Sequence, residues 1–356
     1  MSTDFGFETE GLAVAAAFPS SIKDRTILIT GVNRKGIGYT TAESFASQSP
    51  KTLILAGRSV EKLQECIDDL KRASPNLTSV DYRPLQVDLS SQASVRSAAQ
   101  QVLSWTDIPT IDMVINNAGI MNIPTRTITP DGLELTMATN HVGHFLLTNL
   151  LLPKLIAAAA AAAEASPIRI INLASMGVNV SGVRFSDSTY EKPASELKST
   201  PDEYPNIAMM RAFDLPVDDS TTYFPTIAYG ASKTAAVLFS VALNDKLYAK
   251  YGILSFAVNP GEIRTELGRN TEPQMLASMM AKAEALGMKW KTQQQGCSTT
   301  VRAAVDPSLD LPAEDGMGVF MSDCEPKPAP GYATKKELAR KLWDVSEAWT
   351  GEKFEW

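Results

Sequence analysis

Apolar runs alternating with helical patterns constrain this chain more than any other feature. Residues 25–30 (RTILIT), 52–56 (TLILA), 80–87, 111–115, 168–173 and 253–258 are short and rich in β-branched and leucine side chains. Amphipathic or alanine-rich segments stand between them, at 39–48, 60–72, 92–105, from 131 to about 165, and after 229. Strands that are apolar throughout belong to a parallel sheet buried on both faces. Right-handed crossovers make such a sheet doubly wound. A seventh strand near 316–321 and helices at 293–304 and 335–349 complete the pattern. The sequence therefore predicts an α/β, Rossmann-type, doubly wound parallel sheet of seven strands with helices on both faces.

The first strand ends in Thr30-Gly31-Val32-Asn33-Arg34-Lys35-Gly36-Ile37-Gly38. Glycines let a backbone turn sharply and approach a ligand closely. A helix start behind them offers free N–H groups and a positive dipole end to a pyrophosphate. The spacing is G-x-x-x-x-G-I-G and not G-x-G-x-x-G, so the position between strand and helix carries the reading. The second strand ends in Ala56-Gly57-Arg58-Ser59, where folds that prefer NAD hold a carboxylate for the ribose 2′-hydroxyl. Arg58 stands there instead, and a guanidinium suits a 2′-phosphate. Arg34 and Lys35 add positive charge nearby, so the sequence predicts NADP(H) over NAD.

Tyr229-Gly230-Ala231-Ser232-Lys233 places a phenol and an ammonium four positions apart, on one face if helical. A free tyrosine titrates near 10, and a neighbouring cation favours the phenolate. A phenol tuned in this way can exchange a proton with an alcohol oxygen.

These motifs occur in a fixed order: TGVNRKGIG, AGRS, DLS, NNAG, TNHVGHFLLTNLLLP, INLAS, YGASK and NPGEIRT. In that order the chain resembles the short-chain dehydrogenase/reductase superfamily, and within it the retinol-dehydrogenase-like and WW-domain-oxidoreductase-like branch. The resemblance covers about residues 22–350. Its one departure is an extra residue between the first two glycines of the loop.

The resemblance implies a catalytic tetrad of Asn140, Ser175, Tyr229 and Lys233. Tyr229 would be general acid or base, with Lys233 lowering its pKa and holding the nicotinamide ribose. Ser175 would hold the substrate carbonyl, and Asn140 would anchor a water leading to Lys233. The phosphates would lie on Gly31, Asn33, Arg34, Lys35, Gly36, Ile37 and Gly38. Asp88 and Leu89 would border the adenine, and Asn116, Ala118 and Gly119 the adenosine ribose. Pro260, Gly261, Ile263 and Thr265 would hold the nicotinamide end. The implied activity is NADPH-dependent carbonyl reduction or alcohol oxidation, and the apolar lid at 266–295 suggests a hydrophobic ketone, aldehyde or secondary alcohol, such as a secondary-metabolite or lipid intermediate. The alternative is an NADP-binding module that acts as a sensor or partner without turnover.

Two stretches are expected to set the substrate. Residues 176–228 form an insertion between Ser175 and Tyr229, and 266–295 form a lid with an apolar face of Met275, Leu276, Met279, Met280 and Leu286. Met209-Met210 and Met279-Met280 suit either a greasy pocket or ordinary packing. The expected organisation is an N-terminal arm (1–21), one domain (22–350) and a tail (351–356).

A net charge of −7 with both signs spread along the chain argues against a nucleic-acid surface. Cys66, Cys297 and Cys324 have no metal or disulfide spacing. His141 and His144 are the only histidines and read as helix packing, so no metal is expected. No run reads as a membrane span. A cytoplasmic enzyme with a small-molecule partner, monomeric or homodimeric, is the expectation.

Overall fold

The computed structural model describes residues 4–73, 79–161, 167–312 and 318–356. After a short helix α1 (Gly11–Ala17), strands and helices alternate: β1 (Thr26–Thr30), α2 (Ile37–Ala46), β2 (Thr52–Gly57), α3 (Val60–Ala73), β3 (Asp81–Gln86), α4 (Gln92–Ser104) and β4 (Met113–Asn116). The long helix α5 (Leu135–Ala161) follows, then β5 (Arg169–Leu173). The chain continues through α6 (Ile207–Ala212), α7 (Pro225–Tyr251), β6 (Leu254–Asn259), β7 (Glu262–Ile263), α8 (Pro273–Ala285), β8 (Trp290–Lys291) and α9 (Gln293–Val305). It ends with β9 (Phe320–Ser322), β10 (Glu325–Pro326), α10 (Gly331–Thr334) and α11 (Lys336–Thr350).

The main sheet has eight strands in the order β10-β9-β6-β5-β4-β1-β2-β3. Seven are parallel, as the sequence predicts. The eighth, β10, is a two-residue antiparallel return on β9 that the apolar pattern could not reveal. Both edges carry a proline, Pro84 in β3 and Pro326 in β10, and edge strands are where a missing N–H is tolerated. A separate two-stranded ladder pairs β7 with β8. Residues 162–166 and 316–317, at the expected end of the long helix and start of the seventh strand, lie outside the described residues.

Side chains of the central strands alternate between two cores. In β1, Leu28 faces a layer built from α4, α5, α7 and α11, while Ile27 and Ile29 face one built from α1, α2, α3 and α9. Phe145 of α5 is the hub of the first layer. Its ring centroid lies 5.5 Å from Phe239, 5.0 Å from Trp343 and 5.7 Å from Phe354. Trp343 therefore packs α11 on helices rather than directly on the sheet. The expected tail is no loose end, since Phe354 is buried and the Trp356 indole donates to Asn149.

By length and composition α5 and α7 could cross a membrane, contrary to the reading of the sequence. Their apolar windows are 72% and 94% buried inside the protein, as central helices between sheet and α11 must be. The arm folds into α1, which packs on α2 and α9. Gly11 is in the close approach there, since any Cβ would strike Cys297 and Ser44.

Candidate active site

Strands of a parallel sheet point their carboxyl ends the same way, so the loops after β1, β4, β5 and β6 gather on one edge. The glycine loop and the NNAG, INLAS and NPGEIRT motifs end or follow these four strands.

Tyr229 sits in the second turn of α7, which begins at Pro225. Lys233 is one turn further, its Nζ 5.5 Å from the Tyr229 ring centroid. That ammonium donates to the Leu173 carbonyl at the end of β5 (2.7 Å), which fixes it under the strand ends. Ser175 lies two residues on and accepts the Gly177 amide (2.9 Å), capping a short 3-10 turn over Met176–Asn179. Gly177 is needed here: a Cβ would lie 2.8 Å from Ser175 Oγ and 3.2 Å from the Tyr229 ring. Asn140 lies in a π-helical turn of α5, Ala138–Val142. Its side chain accepts the Ile120 amide and donates to the Ile120 carbonyl and to Ser232 Oγ, each at 2.8–2.9 Å. A Cβ at Gly119 would be 3.4 Å from Asn140 Oδ1 and 3.6 Å from Lys233 Nζ, so these groups share one space. The structure thus brings Asn140, Ser175, Tyr229 and Lys233 together.

The electrostatics differ from the expectation that Lys233 lowers the Tyr229 pKa. Burial pushes the phenol up to about 12; the Ser175 hydroxyl opposes this, and the charge of Glu262 adds to it. Burial also pulls the Lys233 ammonium down to about 8. Burial governs both shifts, and in each group it favours the uncharged form.

The glycine loop forms a cradle. Gly31 has φ +73°, and a Cβ there would come within 2.6 Å of the Ala118 backbone. Gly36 caps α2, and a Cβ at Gly38 would meet Asn117 and the Gly31 carbonyl. The first amides of α2 have no partner within the helix. Asn33 Oδ1 and Asn117 Oδ1 are buried without a hydrogen bond among the described residues.

The family model for short chain dehydrogenases matches residues 25–192. Oxidoreductase fscI of Fusarium equiseti is 37% identical over 259 residues, covering 72% of this chain and 94% of that protein. Human retinol dehydrogenase 13 is 31% identical, with coverage of 93% and 86%. The chain belongs to the short-chain dehydrogenase family. Within it the chain sides with the retinol-dehydrogenase-like branch. Among solved structures, an uncharacterised protein of Mycobacterium paratuberculosis superposes with a TM-score of 0.62 at 26% identity, covering 96% and 98% of the chains. The NADPH-bound carbonyl reductase of chicken fatty liver shares the fold, with a TM-score of 0.54 at 19% identity over 86% and 99% of the chains.

As a short-chain dehydrogenase the protein is an oxidoreductase that works with a nicotinamide cofactor, and the cradle suits one. The glycines leave room for the phosphates, α2 presents its amides, and two orphaned amide oxygens await donors. Arg58 is exposed at the end of β2 and has no carboxylate partner among the described residues. Arg34 is different: its guanidinium bonds Asp69 and Glu65 of α3 (2.8 Å to Glu65). Lys35 leans toward Glu266, 3.7 Å away. The three cations of the sequence are therefore not one cluster. Asp88 accepts from Ser90 and Leu89 is buried in the core. Asn116 is also turned inward, donating to Thr148 and Asn172 (3.0 and 2.9 Å). Its side chain ties β4 to β5 and α5 and so steadies the fourth strand. Ala118 and Gly119 remain on the cleft. Pro260 and Gly261 (φ +86°) turn the chain after β6, and Thr265 caps the next 3-10 turn by accepting the Leu267 amide. The Ile263 side chain lies against Gly296 and Ile37.

The insertion and the lid share one apolar cluster with the first turn of α7, just ahead of Tyr229. Val180, Tyr190, Ile207, Met210, Leu215 and Ile227 pack with Met275 and Met279 of α8. Met209 and Met210 thus belong to this wall. Asn122 (φ +52°) links both parts, donating to Thr271 (3.0 Å) and accepting from Thr226 (3.3 Å). Lys282 of the lid reaches Asp214 of the insertion (3.3 Å).

The two histidines serve the interior. His144 joins Thr30 Oγ (2.8 Å) to the Asn140 carbonyl (3.1 Å), and His141 meets Ser346 (2.7 Å). The Thr30 hydroxyl already accepts the Asn117 and Ala118 amides (3.0 Å each), so its proton goes to His144 Nε2. His144 Nδ1–H then donates to Asn140. Sequence reasoning missed this link, and it missed Gly177 and Glu262. The signal for Glu262 was an acid directly after Pro260-Gly261.

Proposed function

We propose that this protein is an NADPH-dependent carbonyl reductase, reversible as an alcohol dehydrogenase, acting on a hydrophobic ketone, aldehyde or secondary alcohol. The observation that carries this reading is the buried Tyr229 beside Ser175 and Lys233, at the start of a helix that also carries part of the apolar cluster. Residues 22–350 act as one domain, with 176–228 and 266–295 framing the substrate pocket. Arg58 holds the 2′-phosphate, because a bidentate guanidinium matches it and no carboxylate competes. The loop Gly31–Gly38 and the start of α2 hold the pyrophosphate. Bound there, NADPH supplies the hydride.

The chain's own residues do the rest. Ser175 donates a hydrogen bond to the substrate oxygen and orients the carbonyl. Tyr229 hands its proton to the same oxygen as negative charge develops. Lys233, held by the Leu173 carbonyl, stabilises the resulting phenolate. Asn140 holds Ile120 and Ser232 and so fixes the floor beneath Lys233. The apolar wall excludes water and favours a substrate with ring or chain carbon. Retinol dehydrogenases among the relatives support this reading.

The test is Tyr229→Phe. Turnover of hydrophobic ketones by NADPH is expected to vanish while NADPH affinity stays within about twofold, because the phenol contributes to chemistry more than to binding. Equal loss of both would refute the assignment. Cofactor choice is read by calorimetry with NADPH and NADH on the wild type and Arg58→Ala. The expected result is preference for NADPH, lost in the variant.

A further inference from the structure

Glu262 is a charged side chain at the site with no partner among the described residues. It directly follows the Pro260–Gly261 turn, at the edge where β5 and β6 end side by side. It is the first residue of the two-residue strand β7, which pairs with β8. Successive side chains of a strand point to opposite faces. Ile263 points to Gly296 and Ile37, on the side of the glycine loop and α9. Glu262 therefore points the other way, on the face it shares with its ladder partner Trp290, just past the end of β6, whose neighbour β5 leads into Ser175. Its charge is felt at Tyr229, since it helps to raise the Tyr229 pKa.

The cations that could neutralise Glu262 are committed elsewhere. Arg264 stacks on Trp290 (5.2 Å) and reaches Glu284 (3.6 Å). Lys291 is fully buried and pairs with Asp323 at 2.6 Å. Lys233 is held by the Leu173 carbonyl. Glu262 accepts no hydrogen bond among the described residues, although it is only partly exposed. Burial pushes its pKa up for want of such a partner. A carboxylate with a purely structural role in a partly buried place is normally paired or hydrogen-bonded.

We propose that Glu262 is a specificity-determining residue, whose carboxylate accepts a hydrogen bond from a hydroxyl group carried by the hydrophobic carbonyl substrate. This rests on the reading of the Tyr229 pocket as the reductase site. A neutral hydroxyl suits the pocket better than an ammonium, because Lys233 already places positive charge there and the neighbouring cluster is apolar. The substrate class is then a hydroxylated hydrophobic ketone or aldehyde, with its hydroxyl remote from the carbonyl that is reduced. A site built to bond a hydroxyl discriminates strongly against the analogue that lacks it, because the buried group is left unpaired.

The test compares α-tetralone with its phenolic hydroxy derivatives, using NADPH. For at least one derivative, wild-type kcat/KM is expected to exceed that of the parent ketone by about tenfold or more, the usual effect of a hydrogen bond to a charged group. Glu262→Leu should bring that ratio close to one, and Glu262→Gln, which keeps an acceptor oxygen, should leave an intermediate ratio. Thermal melting reports whether each variant is folded. The same ratios are read without turnover as Kd values for the NADPH complex of Tyr229→Phe, with and without Glu262→Leu. A hydroxyl preference in Kd that disappears with Glu262→Leu supports the inference even if the wild type reduces none of these ketones, and only the reductase reading would then fall. A ratio that Glu262→Leu leaves unchanged, or the absence of any hydroxyl preference in the wild type, overturns the inference while leaving the reductase reading in place.

Discussion

Acidification should weaken this fold through two residues that take no part in the chemistry. His141 and His144 are 1% and 3% exposed, and burial holds their imidazoles down, to about 3 and about 4. In the unfolded chain each titrates near 6.5. Between those values the unfolded state binds more protons, so stability rises with pH and is lost as pH falls through that window. At pH 5 the unfolded imidazole is almost wholly protonated and the native one almost wholly neutral. The linkage integral from pH 7 to pH 5 then gives about 2 kcal/mol for each histidine. The figure changes little if either native value moves by half a unit, because both stay below 5. Together they remove about 4 kcal/mol, a large part of the stability of an ordinary domain. Glu134 and Glu262 act in the opposite sense, since burial raises their pKa values and acid relieves them. The assay must therefore isolate the imidazoles. Urea unfolding at both pH values, on the wild type and on His141→Gln and His144→Gln, gives the pH-dependent loss for each protein. Each variant should lose about 2 kcal/mol less than the wild type between pH 7 and pH 5. Equal losses in all three proteins, or imidazole resonances that titrate near 6.5 in the native state, would refute the reasoning.

Further outcomes follow from single contacts. Gly31→Ala places a Cβ against the Ala118 backbone at a positive φ, so NADPH binding should be lost in calorimetry while the circular dichroism spectrum persists. Asp69→Asn frees Arg34 from one of its two carboxylates, and NADPH affinity should rise a few-fold while NADH affinity does not change. Phe145→Ala empties the hub between Phe239, Trp343 and Phe354, and should cost about 3–5 kcal/mol in urea unfolding, the usual loss for a buried aromatic.

Much of the sheet could be read from the chain because β1 (TILIT) and β2 (TLILAG) are apolar between their ends and β5 (RIINL) and β6 (LSFAVN) largely so, as strands buried on both faces are. β10 could not be read: Glu325 and Pro326 have no strand signature, and a hairpin turn through Cys324 holds them there. The two-residue ladder of β7 and β8 is too short for any period to show. Tyr229, Lys233 and Ser175 were legible because each lies in its own short motif beside a strand or helix. Partner choice was not legible. Arg34 meets Glu65 and Asp69 more than thirty positions away, and nothing local distinguishes it from Arg58. The upward shift of Tyr229 was hidden for a similar reason. A four-residue spacing reports the neighbouring ammonium but not the depth of burial around both.

The Phe145 hub also orders events in time. Its members come from residues 145, 239, 343 and 354, so the ring layer cannot close until more than two hundred residues have followed the first of them. Until then the outward sides of α5 and α7, among the most apolar helices in the chain, lie open to water and to other chains. A ribosome-bound fragment ending before α11 should be a strong chaperone client, and a chain cut just ahead of Phe354 should aggregate where the longer one does not.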